Sequence, residues 1–310
     1  MYDLTIIGGG PGGVAAGIYA ARKKIKTVLI TDSFGGQSLV SNDIQNWIGT
    51  KSISGFDLAK SLEQHLRAQD GIDVVDGELV VSVAKKDPAN TDAGFVVTTN
   101  GGKTFETKYI LLTSGSRRKR LGVPGEDMFD GKGVVYCTTC DAPLFGDKTV
   151  VVVGGGNSAL EGVMDLLQYA SKIYLMIRSE VLRGDPVTQE KIKSNPKVEI
   201  LWNAVIEEIK GEKFVNGIRY KNVKTGESKD LPLEGVFVEI GLLPNSDFVK
   251  DLVQLDPYGH VIVDHKTQKT SAPGIWAAGD VSDVLYDQNN ISVGDAIKAV
   301  LNIYDQVKMQ

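Results

Sequence analysis

Two stretches of the chain share one pattern of apolar and polar positions. The first has an apolar run at residues 3–8, a glycine-rich break, the small-residue pattern "VAAGIYAARKK", and a second apolar run at residues 27–31. The second, "KTVVVVGGGNSALEGVMDLLQYASKIYLMIR", repeats this order over residues 148–178. Each pattern predicts a strand, a tight turn, a helix and a second strand, which is how a doubly wound parallel sheet begins. The repeat therefore predicts two units of the same kind.

The remaining segments predict how the two units are assembled. Residues 94–115 alternate around two adjacent glycines and predict a hairpin, and residues 215–241 alternate in a similar way. A helical pattern over residues 293–307 closes the chain. The predicted fold is α/β with two Rossmann-like dinucleotide-binding domains, the second inserted into the first. The predicted boundaries are 1–116 and 245–310 for the first domain and 117–244 for the second.

Length, charge and hydropathy narrow the class of protein. A chain of 310 residues exceeds the size at which one hydrophobic core keeps growing. The net charge is −5 with both signs mixed, and the short run "RRKR" at residues 117–120 is interpreted as a solvated connection rather than a nucleic-acid patch. No segment has the roughly 18 consecutive apolar residues of a membrane span, and no charged leader precedes the first apolar run. We expect a soluble cytoplasmic protein with no nucleic-acid or membrane partner.

The first fingerprint, Gly8, Gly10 and Gly13, has the pattern G-x-G-x-x-G directly after a predicted strand. The first glycine allows a tight turn, the second lets the backbone approach a pyrophosphate, and the third lets helix and strand pack closely. The pyrophosphate then lies at the helix N-terminus, where N–H groups and the helix dipole attract anions. Asp32 follows near the position where an acid binds ribose hydroxyls, although an ordinary surface acid is the alternative interpretation.

The second fingerprint, Gly154, Gly156 and Ala159, follows the first strand of the repeated stretch. In such a unit an acid after the next strand binds the ribose hydroxyls of NAD, whereas arginines accommodate the extra phosphate of NADP. This chain has Arg178 and Arg183 there. They are candidates for phosphate contact, and solvated surface charges are the alternative.

The only cysteines, Cys137 and Cys140, lie together in "CTTC". A structural zinc ion needs four ligands, and the three histidines show no ligand spacing to one another or to the thiols. A structural disulfide would close too small a loop to stabilise the fold much. A redox-active pair fits this spacing, because C-x-x-C geometry lowers the pKa of one thiol and favours exchange. The neighbouring Asp141 is a candidate proton donor or acceptor. Capping of a turn before Pro143 is an alternative interpretation that does not exclude this role.

Several motifs carry a resemblance to one family. They are "GGGPGG", "GGQSLVSNDIQNWIG", "TSGSRRKRLGVPGE", "CTTCD", "GGGNSALEG", "VFVEIGLLPN" and "GIWAAGDV". With these motifs the sequence resembles the low-molecular-weight thioredoxin reductases, of the flavoprotein disulfide reductases, over nearly the whole chain. The second half is as similar to the flavoprotein subunit of alkyl hydroperoxide reductase. That protein carries extra N-terminal thioredoxin-like domains, which we do not expect in this chain because it begins at the first fingerprint.

The resemblance implies an enzyme that passes electrons from NAD(P)H through FAD to a Cys137–Cys140 disulfide and on to thioredoxin or a thioredoxin-like or glutaredoxin-like protein. It implies that Cys140, assisted by Asp141, faces the flavin and that Cys137 attacks the partner's disulfide. A homodimer is also implied, and no metal is expected because the sequence lacks a zinc-ligand pattern. The residues implied at FAD are Gly8, Gly10, Pro11, Gly12, Gly13, Asp32, Gly36, Gln37, Asn46, Thr113, Gly115, Gly279, Asp280 and Gln288. Those implied at the nicotinamide nucleotide are Gly154, Gly156, Asn157, Ser158, Ala159, Arg178 and Arg183.

The sequence departs from this family at three places. Where NADPH-using relatives have His-Arg-Arg and a further Arg, residues 177–179 are Ile-Arg-Ser, followed by Arg183, so one phosphate-binding arginine is missing. The redox motif is followed by Ala142 instead of the usual glycine. Beside the flavin, Asp-Gln-Asn at residues 287–289 replaces Arg-Gln-Ala, which exchanges a cation for an anion. We expect a modest preference for NADPH with measurable use of NADH.

Other functions remain open at this point. A ferredoxin-linked thioredoxin reductase would keep the flavin and the thiols and leave the second fingerprint vestigial. A flavin dithiol oxidase would act on a small molecule with oxygen as acceptor. A ferredoxin–NADP reductase has no use for "CTTCD", and a non-enzymatic nucleotide-binding module would leave the thiols unexplained. Neither the donor nor the acceptor is determined by the sequence.

Overall fold

The computed structural model describes residues 1–41, 44–87, 90 and 93–308, and the side chains of residues 40, 139 and 140 lie outside this description. The α-helices in the described ranges are α1 (Pro11–Arg22), α2 (Gly55–Arg67), α3 (Thr138–Asp141), α4 (Asn157–Leu166), α5 (Pro186–Ser194) and α6 (Asn289–Lys308). Short 3₁₀ helices lie at Gly36–Val40, Ala142–Phe145, Asp247–Val249 and Gly279–Val281. Within these ranges, no helix combines the length and the apolar character needed to cross a membrane.

The strands of the first half are β1 (Tyr2–Gly9), β2 (Thr27–Phe34), β3 (Ile72–Val75), β4 (Val80–Lys85), β5 (Phe95–Thr99), β6 (Thr104–Leu112), β7 (Ser116–Arg118), β8 (Val134–Val135) and β9 (Thr149–Val153). Those of the second half are β10 (Lys172–Ile177), β11 (Val198–Trp202), β12 (Ala204–Gly211), β13 (Val215–Asn222), β14 (Ser228–Pro232), β15 (Gly235–Val238), β16 (Leu242–Pro244), β17 (Val263–Asp264), β18 (Lys269–Thr270) and β19 (Ile275–Ala277).

The chain divides into two compact units. Unit 1 comprises Met1–Arg117 and Leu243–Gln310, and unit 2 comprises Arg118–Leu242. The chain therefore passes between the units inside β7 and inside β16, and these two short strands pair with each other.

Unit 1 is built on a nine-stranded sheet in the order β17-β18-β19-β6-β1-β2-β3, from which the β4–β5 hairpin extends beside β6. The five strands β19, β6, β1, β2 and β3 run parallel. Side chains of β1 alternate between two cores: Leu4 and Ile6 pack with α1 and α6, and Ile7 packs with the hairpin side. Because helices or strands cover both faces, the strand sequences read as continuous apolar runs.

Unit 2 combines a parallel sheet with a smaller antiparallel one. The parallel sheet has the order β11-β10-β9-β15-β8, and β12, β13 and β14 form the antiparallel sheet. Val150 and Val152 of β9 pack in the core that contains α4 and α5 residues. Val151 and Val153 pack in the core shared with the antiparallel sheet. Because side chains of β9 point alternately to these two cores, the parallel sheet lies between the helices and the antiparallel sheet.

The predicted α/β class with parallel sheets is confirmed, and so is the hairpin, whose strands β5 and β6 pair antiparallel. Two boundaries differ from the predictions. β2 continues to Phe34, because Phe34 still pairs with Gly9. α6 begins at Asn289, four residues before the apolar pattern, because polar side chains hold its first turn: Ser38 Oγ donates to Asn289 Oδ1 at 3.1 Å.

Candidate functional site

Unit 1 contains a cavity of about 750 Å³ where β1, β2 and β6 end. This volume falls within the range of ligand pockets, and ligands of parallel α/β sheets bind at the carboxyl ends of strands. Most residues implied at FAD line this cavity, namely Gly8, Gly10, Pro11, Gly12, Asp32, Gly36, Gln37, Thr113, Gly115, Gly279 and Asp280. The cavity is therefore the candidate dinucleotide site of unit 1.

The turn between β1 and α1 explains why the first fingerprint is glycine-rich. Gly8 has a φ of 117°, and a Cβ atom there would lie 2.3 Å from the Thr113 carbonyl oxygen. Gly10 is the extended N-cap residue of α1, and no described side chain caps the helix there. The first-turn N–H groups of this twelve-residue helix are thus available to an anion in the cavity.

The polar side chains that line the cavity differ in their hydrogen bonds to the rest of unit 1. The Gln37 amide donates to the Ser116 carbonyl oxygen at 3.1 Å, so one donor is already used. Asp280 accepts a hydrogen bond from Ser292 Oγ at 3.1 Å. Burial and then the charge of Asp287 raise the pKa of Asp280 above its usual value, against the effect of Ser292. Asp32 lines the same wall as an exposed carboxylate.

Three residues implied at FAD lie off the cavity wall. Gly13 packs inside the turn, where a Cβ atom would lie 1.9 Å from the Gly8 carbonyl oxygen. Asn46 Nδ2 donates to Gln288 Oε1 at 3.2 Å, so the structure brings these two side chains to each other. Asn290 Nδ2 also donates to the Asn46 carbonyl oxygen at 2.7 Å. Gly13 therefore has the packing role of a third glycine, and the amide pair joins two loops.

The cavity is also lined by residues that were not predicted from the sequence. Asn245 and Ser114 are bonded twice: Asn245 Nδ2 donates to the Ser114 carbonyl oxygen at 2.9 Å, and Ser114 Oγ donates to the Asn245 carbonyl oxygen at 2.7 Å. Arg117 donates to Asn245 Oδ1 at 2.8 Å. All three residues line the cavity, as does Ser292 on α6. The sequence contained one indication of this role, because Asn245 is the last residue of the motif "VFVEIGLLPN".

The second fingerprint lies where β9 turns into α4 in unit 2. Gly156 is the N-cap of α4, and Ala159 is fully buried in that helix. Asn157 Oδ1 accepts from the Asp185 N–H at 2.8 Å, and the Arg183 N–H donates to the Gly155 carbonyl oxygen at 2.7 Å. These bonds hold the loop after β10 against the second fingerprint.

The side chains that the sequence predicts at the extra phosphate of NADP are exposed. Arg178 and Arg183 face solvent, as does Ser158 in the first turn of α4. Glu180, which lies between the arginines in sequence, forms an ion pair with Lys224. This partner lowers the pKa of Glu180 and offsets its negative charge. Ser179 Oγ donates to the Val181 carbonyl oxygen at 3.0 Å, so its proton is already used.

The redox turn, residues 137–141, lies in unit 2. It consists of Cys137 and the short helix α3 that follows it. Cys137 is disulfide-bonded and partly exposed; the sequence has one other cysteine, Cys140, whose side chain lies outside the described residues. Burial raises the pKa of the half-buried Asp141, and the charge of Arg118 opposes this shift. The alternative role of Asp141 as a cap is wrong, because its side chain makes no capping hydrogen bond to the following 3₁₀ helix.

The basic run at residues 117–120 is largely neutralised by ion pairs with carboxylates of the same chain. Its ion pairs are Arg117 with Asp247 at 3.0 Å, Arg118 with Glu239 at 3.6 Å, and Arg120 with Asp127 and Asp130 at 2.6 Å and 2.5 Å. The Arg120 guanidinium also lies over the Tyr136 ring, 5.1 Å from its centroid. Most of the positive charge in this run is therefore engaged by nearby carboxylates.

Comparison with known proteins adds independent evidence. The family model "Pyridine nucleotide-disulphide oxidoreductase" matches residues 2–299. The F subunit of alkyl hydroperoxide reductase of Pseudomonas putida is 42% identical over 311 residues, covering 99% of the chain and 58% of that protein. NADH dehydrogenase of Bacillus subtilis (strain 168) is 40% identical over 304 residues, with 98% of the chain and 58% of that protein covered. The chain thus spans less than two thirds of the length of these curated relatives.

Solved structures give a match of full length. Thioredoxin reductase of Lactococcus lactis, in its FR conformation, has a TM-score of 0.81 and 32% identity, and each chain is covered to 100%. Both resemblances that the sequence motifs predicted are confirmed by these matches.

Proposed function

The chain belongs to the pyridine nucleotide-disulphide oxidoreductase family, and on that premise we propose that it is a flavin-dependent disulfide reductase of the thioredoxin reductase type. Unit 1 would bind FAD, and unit 2 would bind NAD(P)H and carry the redox pair. The observation that carries the proposal is a disulfide at Cys137 in the unit that also contains the second fingerprint. A flavin-dependent disulfide reductase requires a nucleotide site and an exchangeable disulfide besides its flavin, and unit 2 would supply both.

The residues of the unit 1 cavity fit FAD. The N–H groups of the first turn of α1 would hold the pyrophosphate, because a Cβ atom at Gly10 would meet nothing closer than Gly36 Cα at 4.0 Å and the approach is open. Asp32 would accept hydrogen bonds from ribose hydroxyls, and Asp280 would bind a further hydroxyl of the cofactor. A bound FAD supplies two-electron transfer between a nicotinamide and a disulfide.

The redox turn would then perform thiol–disulfide exchange. In the reduced enzyme, the Cys137 thiolate attacks one sulfur of the partner's disulfide, a mixed disulfide forms, and one partner sulfur leaves as a thiolate. The Cys140 thiolate then attacks Cys137 Sγ, which restores the Cys137–Cys140 disulfide and releases the partner as a dithiol. Asp141 would hold and return a proton for Cys140, and burial, which raises the pKa of Asp141, favours the protonated form that this task requires.

The donor is proposed to be NADPH, with measurable use of NADH. Arg178 and Arg183 supply two exposed guanidinium groups after β10, and the ion pair with Lys224 restrains Glu180 from opposing a phosphate. Arg–phosphate contacts are strong, charge-assisted hydrogen bonds, so two of them favour NADPH. The missing third arginine and the name of the Bacillus subtilis relative, NADH dehydrogenase, argue for partial use of NADH.

The proposed acceptor is thioredoxin or a thioredoxin-like or glutaredoxin-like protein, and the proposed assembly is a cytoplasmic homodimer. Support comes from the full-length likeness to a thioredoxin reductase structure. The partly exposed position of Cys137 is consistent with attack on a protein disulfide.

An anaerobic reduction experiment tests the proposal. The purified protein is expected to show a yellow flavin spectrum that bleaches within seconds of adding NADPH and more slowly with NADH. Addition of oxidised thioredoxin should then restore the yellow spectrum and generate two thioredoxin thiols for each flavin that is reoxidised. Bleaching by dithionite or reduced ferredoxin but by neither nicotinamide nucleotide would overturn the proposed donor in favour of a ferredoxin-linked reductase.

A further inference from the structure

The residue next to Cys137 is held by a glutamate from a distant part of unit 2. Thr138 donates to Glu239 Oε1 twice, from its hydroxyl at 2.8 Å and from its backbone N–H at 3.2 Å. Thr138 is 3% exposed and the Glu239 side chain is 9% exposed, so water has little access to these bonds. Buried hydrogen bonds to a charged acceptor are stronger than neutral ones.

The fold fixes both partners of this contact. Glu239 directly follows β15, and its N–H donates to the Val153 carbonyl oxygen at 2.9 Å at the end of β9. Thr138 also packs against α4, so closely that a Cβ atom at Gly162 would lie 2.7 Å from Thr138 Oγ1. Thr138 therefore contacts both a glycine of α4 and the Glu239 carboxylate.

Several charges face this carboxylate from the neighbouring elements. Arg118, on β7, lies 3.6 Å from Glu239 Oε2, and its buried Nε has no hydrogen-bond partner among the described residues. The charge of Arg118 also acts on Asp141 of the redox turn. Glu161 on α4 adds a like charge. Burial raises the pKa of Glu239, whereas the Thr138 donors and Arg118 oppose this shift.

We infer that Glu239 is a positioning residue of the redox pair, and that its carboxylate makes the Cys137–Cys140 disulfide harder to reduce. A negative charge bonded to the residue next to Cys137 disfavours a second negative charge on the thiolate. The carboxylate also occupies the Thr138 N–H, which is then unavailable to stabilise that thiolate. Arg118 counteracts this effect, because its positive charge lies close to both Glu239 and Asp141. The inference rests on the proposed function only in that these two cysteines exchange electrons.

The variant Glu239→Gln tests the inference, because glutamine keeps an oxygen acceptor for Thr138 and removes the charge. The flavin-containing protein is equilibrated with glutathione buffers, in which two glutathione thiols reduce the disulfide and leave as glutathione disulfide. Mass spectrometry of alkylated peptides then gives the fraction of dithiol. We expect the equilibrium to shift toward dithiol by about threefold or more, and a tenfold shift would correspond to about 30 mV.

A pH profile separates an electrostatic role from a structural one. The rate of iodoacetamide alkylation of Cys137 is measured in the reduced protein between pH 5 and 9. We expect its midpoint to fall by about half a pH unit or more in Glu239→Gln, because one anion near the thiolate is lost. A uniform rise in rate with an unchanged midpoint would mean that the substitution merely loosened the turn, and would overturn the inference.

Two matched variants complete the test. Glu161→Gln removes an exposed carboxylate that faces Glu239 without bonding Thr138, and we expect neither the equilibrium nor the midpoint to move. Arg118→Gln should shift both quantities in the opposite direction to Glu239→Gln, and Arg118→Lys should restore them in part. Equal shifts in Glu161→Gln and Glu239→Gln would contradict the inference. These readouts need no nicotinamide nucleotide, so they remain interpretable if the proposed donor is wrong.

Discussion

Gly13 lies so close to Gly8 that a Cβ atom on Gly13 would be 1.9 Å from the Gly8 carbonyl oxygen. This approach brings the start of α1 against the end of β1, and the N–H groups of the first helical turn thereby face the cavity of unit 1. The proposed binding of a dinucleotide by unit 1 therefore depends on a residue that lines no part of the cavity.

Gly13→Ala is expected to abolish flavin retention. The added methyl group cannot be accommodated against backbone, so either α1 moves away from β1 or the turn opens. The measurement is the ratio of flavin absorbance to protein absorbance after purification, together with the thermal midpoint. Gly294→Ala on α6 is the matched control, because a Cβ atom there meets nothing within 4 Å. It should keep its flavin and gain up to about 1 kcal/mol of stability; similar flavin loss in both variants would contradict this role of Gly13.

Cys137→Ser should leave reduction of the flavin by the nicotinamide nucleotide intact and abolish reduction of thioredoxin. The reason is that the proposed partner-facing and flavin-facing roles fall on different sulfurs. The remaining Cys140 thiolate is expected to give a long-wavelength charge-transfer band in the absorbance spectrum. Observation of that band in Cys140→Ser, and not in Cys137→Ser, would mean that the two roles are reversed.

Arg178→Ala should raise the KM for NADPH at least about tenfold, since one charge-assisted contact to a phosphate contributes roughly 1.5–3 kcal/mol. The KM for NADH should stay nearly unchanged, because NADH carries no such phosphate. Steady-state kinetics with both nucleotides check this. Equal effects on the two nucleotides would show that Arg178 does not read the phosphate, and NADH or ferredoxin would then be the better candidate donor.

The thermal midpoint is expected to depend on pH through Asp280 and Asp287. Burial raises the pKa of both carboxyl groups, and the charge of Asp287 raises that of Asp280 further. A group with a raised pKa binds its proton more tightly in the folded protein than in the unfolded chain. Its stabilisation is therefore present below the unfolded carboxyl range, near pH 4, and is lost as the pH rises through the folded pKa.

Asp287→Asn should reduce this loss of stability, because Asp280 then has one less neighbouring anion. Thermal midpoints of the flavin-containing protein between pH 4 and 8 provide the measurement. Asp305→Asn, which removes an exposed carboxylate from α6, should follow the parent curve. If the curve of Asp287→Asn also runs parallel to that of the parent, the two carboxyl groups are not coupled.

The fingerprints could be predicted from the sequence because their requirements are local. Gly8 has a positive φ, and a side chain at Gly13 would clash with the Gly8 carbonyl oxygen. Both requirements select glycine, so a glycine pattern after an apolar run is enough to predict the turn. The parallel sheets were predictable for a similar reason, since strands buried on both faces form continuous apolar runs.

Contacts between distant segments could not be predicted in this way. Asn245 bonds to Ser114 across 131 positions, and Glu239 bonds to Thr138 across 101. Neither polar residue differs from a surface residue until the fold brings its partner close. The ion pair of Arg118 in the basic run could not be predicted for the same reason, because Arg118 and Glu239 are far apart in sequence and meet only in the folded unit 2.

The most direct test of the account is a count of thiols after reduction by a nicotinamide nucleotide. The oxidised protein, free of oxygen, is mixed with NADPH or NADH, quenched in denaturant and treated with a thiol reagent. The account predicts that each chain gains two thiols with NADPH, on Cys137 and Cys140, and fewer with NADH at equal concentration. If the flavin is reduced and no thiol appears, or if thiols appear only with dithionite or ferredoxin, the proposed path from nicotinamide to disulfide is contradicted.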